Sequence, residues 1–199
     1  MIPILINGCT TISSRTPAPD YYILTSLKKE VSPHRNKTIR PKNIIVGPVE
    51  IPAYLDRDNI VIRDIDNKVT ILHFSRWAEP LVNAIERIVS ENISILSHDK
   101  LACYPFSMIV PDGDENIDLK LLINVYQFER AADGMCYLDV EYFLTLPNNK
   151  DLTHKRIKLT ETAEGPSVKD AIRCQNRLLD EFSQIVTGKL LSVLTSKNN

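Results

Sequence analysis

Residues 117–162 carry three consecutive strand patterns, and they constrain the fold more than any other stretch of this chain. The first pattern covers 117–130, a turn signal follows at Asp133-Gly134, and the second returns over 135–146. A third, more polar strand covers 152–162. Because short turns join antiparallel neighbours, we predict a three-stranded antiparallel meander. Alternation in the first strand places Leu119, Leu121, Ile123 and Val125 on one face, and Leu122, Tyr126 and Phe128 on the other.

Two segments show the apolar spacing of amphipathic helices. The first opens at residues 76–81, has Pro80 near its first helical position and continues for about 17 residues. The second is capped by Ser167 and Asp170 in a capping-box-like pattern, and Gly188 is expected to end or bend it.

Shorter patterns fill the rest of the chain. Strands are predicted at 20–25, 43–51 and 101–106, and a hairpin is predicted at 59–72. The apolar start of the 43–51 strand indicates burial on both faces, and Pro48 must lie at an edge, a bulge or the strand's end. Residues 52–57 are predicted to form a single helical turn. We therefore expect an α/β fold: one domain with a mixed, largely antiparallel β-sheet packed by two main amphipathic helices.

Composition excludes two classes of protein. The 199 residues are 43% hydrophobic, which is enough for a core, and no apolar run approaches the roughly 20 residues of a membrane-spanning helix. The net charge is -1, so the chain has no basic excess with which to neutralise a phosphate backbone. We expect no nucleic-acid partner.

The N-terminus has the elements of a bacterial lipoprotein signal. A short apolar run ends in Gly8-Cys9, and a Ser-, Thr- and Pro-rich stretch follows to Pro19. We therefore predict a truncated signal remnant and tether over 1–19, lipidation at Cys9, and a folded domain over 20–199. The run lacks a basic segment, is shorter than a usual signal, and has Asn7 before Gly8. Two interpretations stay open: the native start lies upstream of Met1, or the N-terminus is unprocessed.

Motifs of catalysis and metal binding are missing from the sequence. The four histidines, His34, His73, His98 and His154, are scattered and form no H-E-x-x-H pattern. The chain has no G-x-S-x-G elbow and no Walker or Rossmann glycine pattern. The acidic residues of the 112–115 loop lack calcium-loop spacing. We predict no enzyme activity, no catalytic residue, no metal and no cofactor.

The cysteines Cys103, Cys136 and Cys174 are far apart in sequence, so they form no zinc ribbon or C-x-x-C pair. We interpret them as small buried hydrophobic residues. A disulfide between two of the three stays open, because sequence spacing does not decide it.

Two idiosyncratic segments carry a family resemblance: VGPVEIPAYLDR at 46–57 and RWAEPL at 76–81, with a hairpin between them. Together they resemble the ABC-type transport auxiliary lipoprotein component family of the PqiC (YmbA) type. YYIL at 21–24 after Cys9 and the hairpin region from Phe128 through Gly134 to Leu138 fit the same family. The resemblance covers most of the chain and is strongest between residues 44 and 81.

The resemblance implies a function. Members of that family are lipid-anchored periplasmic proteins that work with ABC transporter or MCE-domain systems, which move lipids between membranes and maintain envelope integrity. We therefore expect a non-enzymatic accessory subunit at the periplasmic face of the outer membrane. Its expected partners are an MCE-domain protein, ABC-type or permease components, the membrane through its lipid anchor, and a second copy of itself. The alternative is a periplasmic binding or regulatory lipoprotein acting on a cell-wall enzyme, and a distant third is a cytoplasmic protein with an accidental Gly-Cys.

The two motifs supply the candidate site residues. Tyr54, Asp56 and Arg57 lie on a turn between strands, and such turns often carry binding, so they are candidates for partner contact; a purely structural turn is the alternative. In the second motif, Trp77 is expected to anchor the core. Arg76 and Glu79 are expected to pair across the start of the helix that Pro80 opens.

Overall fold

The computed structural model describes residues 17–28, 41–64, 66, 68–108 and 116–196. Within these residues one α/β domain is formed by an eight-stranded mixed sheet and two helices, as predicted. In chain order the elements are β1 (Asp20–Tyr22), β2 (Lys42–Glu50), β3 (Asn59–Arg63), β4 (Val69–Trp77), α1 (Leu81–Leu96), β5 (Leu101–Pro105), β6 (Leu119–Ala131), β7 (Met135–Thr145), β8 (Asp151–Thr162) and α2 (Val168–Ser196).

The central strand of the sheet is β6. One edge of β6 pairs antiparallel with β7, which pairs antiparallel with β8, and this confirms the predicted meander. The other edge is shared by two parallel strands: β2 pairs with β6 between Leu119 and Asn124, and β3 pairs with it at Arg130 and Ala131. The chain that connects β2 to β3 must therefore cross the gap between these two pairings. Beyond this shared edge, β3 is followed by β4 and β1, and β2 is followed by β5.

Both helices pack on the same face of the sheet and share one hydrophobic core. The predicted first helix is confirmed at Leu81–Leu96, and the buried side chains of α2 include Leu178, Phe182 and Val186. No helix in the described part of the chain has the length and apolarity needed to cross a bilayer.

One facing prediction in β6 is wrong. The alternation predicts Phe128 on the other face of the strand from Leu119 and Val125. In the structure Phe128 is 1% exposed and lies on the same face, in the core with them. The cause is a β-bulge between Val125 and Gln127, which adds one residue to β6 and reverses the alternation beyond it. Tyr126, the extra residue, is exposed.

The start of the first helix also differs from the prediction. Arg76 and Trp77 belong to β4, because Trp77 donates its N–H to the Asp58 carbonyl at 2.6 Å and pairs with Tyr22 of β1. Pro80 lies just before the helix, and its carbonyl accepts the N–H of Ala84. Residues 52–57 form a hydrogen-bonded turn in which the N–H of Leu55 reaches the Pro52 carbonyl, but no helix.

The second helix is capped as predicted but continues through its glycine. Ser167 and Asp170 exchange hydrogen bonds at its N-terminus, as a capping box requires. Gly188 does not end α2, which runs on to Ser196. A glycine costs a helix only about 1 kcal/mol relative to alanine, and Val186 and Leu190 on either side are fully buried.

Candidate functional site

The 46–57 segment fills the gap along the edge of β6 between β2 and β3. It comprises the end of β2 and the turn that follows, and its last residue is next to Asp58, whose carbonyl accepts the N–H of Trp77. The adjacent β3–β4 pairing joins Asn59 to Arg76. The fold therefore brings together the two motifs, 46–57 and 76–81, that the sequence singled out.

The first end of the segment is held by a buried glutamate of α1. The Glu86 side chain is inside the core region, where its carboxylate accepts the N–H of Val49 at 3.3 Å and the N–H of Ser107 at 3.2 Å. Both N–H groups lie where ladder pairing stops, at the β2 bulge and just after β5. Gly47 has φ +118, and a Cβ there would come within 2.5 Å of the Glu86 carboxylate. Only glycine fits this position, both in backbone conformation and in space.

The second end of the segment is held by Tyr54, Arg63 and Glu129, which we call the buried triad after its fully buried carboxylate; Tyr54 and Arg63 are themselves half-buried. The Tyr54 hydroxyl donates to Glu129 Oε2 at 2.9 Å, and Arg63 donates to Glu129 Oε1 at 2.6 Å and to the Tyr54 hydroxyl at 2.9 Å. The Arg63 guanidinium also lies over the Tyr54 ring, 5.2 Å from its centre. Glu129 is 0% exposed, so its charge is compensated almost entirely by these partners and by the N–H of Phe128.

The electrostatics of the triad keep Tyr54 and Arg63 in fixed protonation states. Burial, reinforced by the negative charge of Glu129, raises the pKa of Tyr54 to about 12. The hydrogen bond to Glu129 is the main reason that the pKa of Arg63 is raised above its usual value. Tyr54 is therefore a neutral hydroxyl and Arg63 a cation at neutral pH, an arrangement that stabilises a turn and leaves no proton free for acid–base catalysis.

The tip of the turn is exposed. Asp56 and Arg57 are both open to solvent, whereas Leu55 between Tyr54 and this pair is buried in the core. The geometry thus separates the three predicted contact residues. The Tyr54 hydroxyl is committed to internal hydrogen bonds, while Asp56 and Arg57 present a carboxylate and a guanidinium on a turn that is held at both ends.

The second motif is mainly structural. Trp77 is 7% exposed and belongs to the hydrophobic core, which confirms the predicted anchor. The predicted pairing of Arg76 with Glu79 is wrong, because Glu79 instead forms an ion pair with Arg87 of α1. Arg87 also donates to the Leu24 carbonyl, so this pair fastens the start of α1 to the chain after β1. The buried Nε of Arg76 has no hydrogen-bond partner in the described ranges.

Several predicted residues lie outside the described residues, so the structure does not place them. They include the lipidation residue Cys9 with most of the predicted tether, His34 and the acidic residues of the 112–115 loop. The division of the chain at residue 20 stays a prediction for the same reason. Where the chain is described, no group of three or more His, Cys, Asp or Glu side chains is placed to hold a metal ion.

Sequence reasoning missed the three residues that hold the segment: Glu86, Glu129 and Arg63. Glu86 interrupts the apolar face of α1, and Glu129 follows Phe128 near the end of a strand rich in apolar residues. A charged residue inside an apolar pattern was the available signal. Because of the bulge at Tyr126, however, an unbroken alternation assigns Glu129 to the face of Leu119 and Val125, which is the wrong face.

Comparison with protein families decides where the chain belongs. A family profile described as "ABC-type transport auxiliary lipoprotein component" matches residues 22–186, from β1 into α2 and including both motifs. The chain is a member of this family. The description of the ABC-type transport auxiliary lipoproteins connects them with an ABC transport system and with membrane anchoring in the cell envelope. No curated protein matches the chain.

Solved structures show the same fold as this auxiliary lipoprotein. The crystal structure of an uncharacterized protein has a TM-score of 0.69 at 16% identity, and the match covers 87% of this chain and 99% of that one. A protein from Xanthomonas campestris also has a TM-score of 0.69, at 15% identity, with 90% of this chain and 100% of that one covered. At these identities the likeness concerns the fold alone.

Proposed function

We propose that this protein is a lipid-anchored, non-enzymatic accessory subunit of an ABC/MCE-type intermembrane lipid-transport system that supports envelope integrity. The single observation that carries the proposal is the family match over residues 22–186, which includes both ends of the 46–57 segment. We place the protein at the periplasmic face of the outer membrane, with an MCE-domain protein and the ABC-type or permease components as its partners.

The use of the motif residues favours an accessory role over catalysis. In the family's most distinctive segment, the Tyr54 hydroxyl is a donor to Glu129 and an acceptor from Arg63. Catalytic acids and bases need a reachable proton and a pKa near the working pH, whereas the pKa of Tyr54 is raised to about 12. A turn held this firmly is suited to presenting a fixed surface.

Asp56 and Arg57 are the residues we assign to partner contact. Both are exposed, and they are fixed in position by Leu55, which is 3% exposed, and by the triad next to it. A preorganised charged pair loses little conformational freedom when it binds, so it adds more to affinity than a mobile loop would. Opposite charges side by side also favour a partner surface with complementary charges.

Anchoring through Cys9 fixes where this surface can act. The chain from Cys9 to β1 at Asp20 reaches at most about 40 Å even when fully extended. The domain therefore stays close to the membrane that holds the acyl chains, as expected for a docking piece.

The test of the proposed function is expression from the full upstream reading frame in the native host. We expect a mature N-terminus that begins with an acylated Cys9 by mass spectrometry, and release into the soluble periplasm in the Cys9→Ala variant. Affinity purification from native membranes should recover MCE-domain and permease subunits together with lipid. An unmodified Met1 on a cytoplasmic protein would overturn the localisation, and recovery of cell-wall synthases alone would replace the transport role with regulation of those enzymes.

A further inference from the structure

Cys136 of β7 and Cys174 of α2 meet where the second helix packs on the sheet. Both side chains are 0% exposed, and both cysteines are free thiols in the structure. The Cys136 thiol is 4.0 Å from the carbonyl oxygen of Ala171, less than one helical turn before Cys174. The Cys174 thiol is 3.4 Å from the carbonyl oxygen of Glu161, which is the direct β8 neighbour of Cys136. Each thiol thus reaches the backbone beside the other cysteine, and the two thiols are close enough to shift each other's pKa.

The third described cysteine lies elsewhere and serves as an internal reference. Cys103 is on β5 and is associated with Ser94 of α1, whose hydroxyl accepts the Cys103 N–H at 3.2 Å. Burial raises the pKa of Cys103 to about 12, so its thiol is unreactive in the folded chain. Because β2 and β6 separate β5 from β7, a bridge compatible with the fold must join Cys136 to Cys174 and leave Cys103 as a thiol.

We propose that Cys136 and Cys174 are joined by a disulfide in the mature protein, which ties α2 covalently to β7. The inference rests on the proposed function in one respect, because the cell envelope is where bacterial proteins meet disulfide oxidants. The geometry is supplied by the placement of the two thiols, each of which lies against the backbone beside the other cysteine, since bridging needs two cysteines that are already neighbours.

The oxidant is a protein disulfide that reacts by thiol–disulfide exchange. A thiolate of one cysteine attacks the oxidant's S–S bond, forms a mixed disulfide and expels one oxidant thiolate. The second cysteine then attacks the mixed disulfide, which forms the Cys136–Cys174 bond and releases the second oxidant thiolate. Two electrons pass to the oxidant, and the two protons of the cysteines end on its two thiols.

The bridge forms before α2 is docked. Desolvation raises the pKa of Cys136 and of Cys174 in the folded protein, and thiolates are the attacking species. With both side chains fully buried, an oxidant has no access to them either. Refolding in the presence of oxidant should therefore close the bridge quickly, whereas adding oxidant to the folded, reduced protein should act slowly.

The first arm of the test uses the full chain, unfolded and reduced, then refolded with oxidised glutathione and quenched with an alkylating agent. Peptide mapping should show the Cys136 peptide linked to the Cys174 peptide, with Cys103 alkylated. The Cys103→Ser variant should keep the bridge and Cys174→Ser should lose it. The bridged form should melt roughly 5 to 15 °C above the reduced form, as expected for closure of a loop of this size.

The second arm maps the thiols of protein taken from the native envelope after acid trapping. The same linked peptide there supports the proposal. Alkylation of both Cys136 and Cys174 after oxidative refolding, or a bridge to Cys103, would overturn the disulfide and leave the proposed function standing. A bridge that forms on refolding but is absent from the native protein would overturn the envelope location and, with it, the disulfide of the mature protein.

Discussion

The protein contains two groupings of tyrosine, arginine and carboxylate beside β6, one buried and one exposed. The buried triad of Tyr54, Arg63 and Glu129 holds the 46–57 segment on the sheet, and its glutamate is 0% exposed. The second grouping, which we call the exposed cluster, consists of Tyr126, Asp139, Glu141 and Arg156. Its tyrosine and arginine are open to solvent, Glu141 is half-buried, and Asp139 is 8% exposed. There the Tyr126 hydroxyl donates to Glu141 at 2.9 Å, and Arg156 lies 4.0 Å from the centre of the Tyr126 ring.

The two groupings use the same chemical groups at similar distances, and they differ most in the carboxylate that accepts from the tyrosine: Glu129 is fully buried, whereas Glu141 is half-buried beside the exposed Tyr126. In water a charged pair gains little, because solvent already stabilises both ions. Inside the protein each member depends on the others, and loss of one leaves an unpaired polar group or charge. We therefore expect the buried triad to govern the stability of the 46–57 segment and the Tyr126–Glu141 pair of the exposed cluster to contribute little.

Glutamate substitutions give the largest expected difference between the two groupings. Glu129→Ala should lower the free energy of unfolding by roughly 3 kcal/mol or more, because Arg63 and the Tyr54 hydroxyl lose their shared acceptor. The measurement is urea unfolding followed by circular dichroism. Glu141→Ala is the matched control and should unfold close to the wild-type midpoint; an equal loss in both variants would show that burial does not distinguish the groupings.

Removal of the tyrosine hydroxyls gives a smaller difference. Tyr54→Phe should cost about 1 kcal/mol, because Glu129 keeps Arg63 and the N–H of Phe128 when the hydroxyl is gone. Tyr126→Phe should leave the unfolding midpoint unchanged, since water replaces the lost partner. Thermal melts of both variants test this prediction. A larger loss of stability in Tyr126→Phe than in Tyr54→Phe would contradict the claim that the buried triad is the stabilising grouping.

The stability contributed by the two groupings should depend on pH in different ranges, alkaline for the buried triad and acidic for the exposed cluster. The pKa of Tyr54 is raised from 10.0 to about 12, so its contribution is complete below pH 10 and is lost as the pH rises towards about 12. The hydrogen bond from Arg156 is the main cause that lowers the pKa of Asp139. The stability that this ion pair contributes is therefore present above the ordinary aspartate pKa of 3.8 and is lost in acid. Wild type and Tyr54→Phe should converge in stability in alkali, and wild type and Asp139→Asn in acid; a constant difference in either pair would contradict the assignment.

Local sequence signals predict most of the fold but not the contacts between distant residues. The meander, both helices, the hairpin and the buried Trp77 follow from periodicity, turn residues and residue size, which are local signals. The pairing of Glu79 with Arg87 in place of Arg76 does not follow, because it depends on β4 extending to Trp77 before α1 begins.

The buried triad is the part of the site that local signals could not predict. Its members come from a turn, from β3 and from β6, and they meet only because β2 and β3 share one edge of β6. Parallel pairing between distant segments leaves little trace in sequence spacing. The sequence therefore marks the turn around Tyr54 as distinctive, but the residue that holds this turn, Glu129, is 75 positions further along the chain.

The most direct test of the account compares partner recovery with stability in two variants of the same turn. Wild type, Asp56→Ala/Arg57→Ala and Tyr54→Phe would each be affinity-purified from native membranes, and the recovered transport subunits would be quantified alongside thermal melts. We expect the double variant to melt like wild type and to lose partner recovery at least about tenfold, as for a binding hot spot. Tyr54→Phe should melt lower and keep its partners. Full recovery with the double variant, or loss of recovery only with Tyr54→Phe, would contradict the claim that the exposed tip of the 46–57 segment is the contact surface.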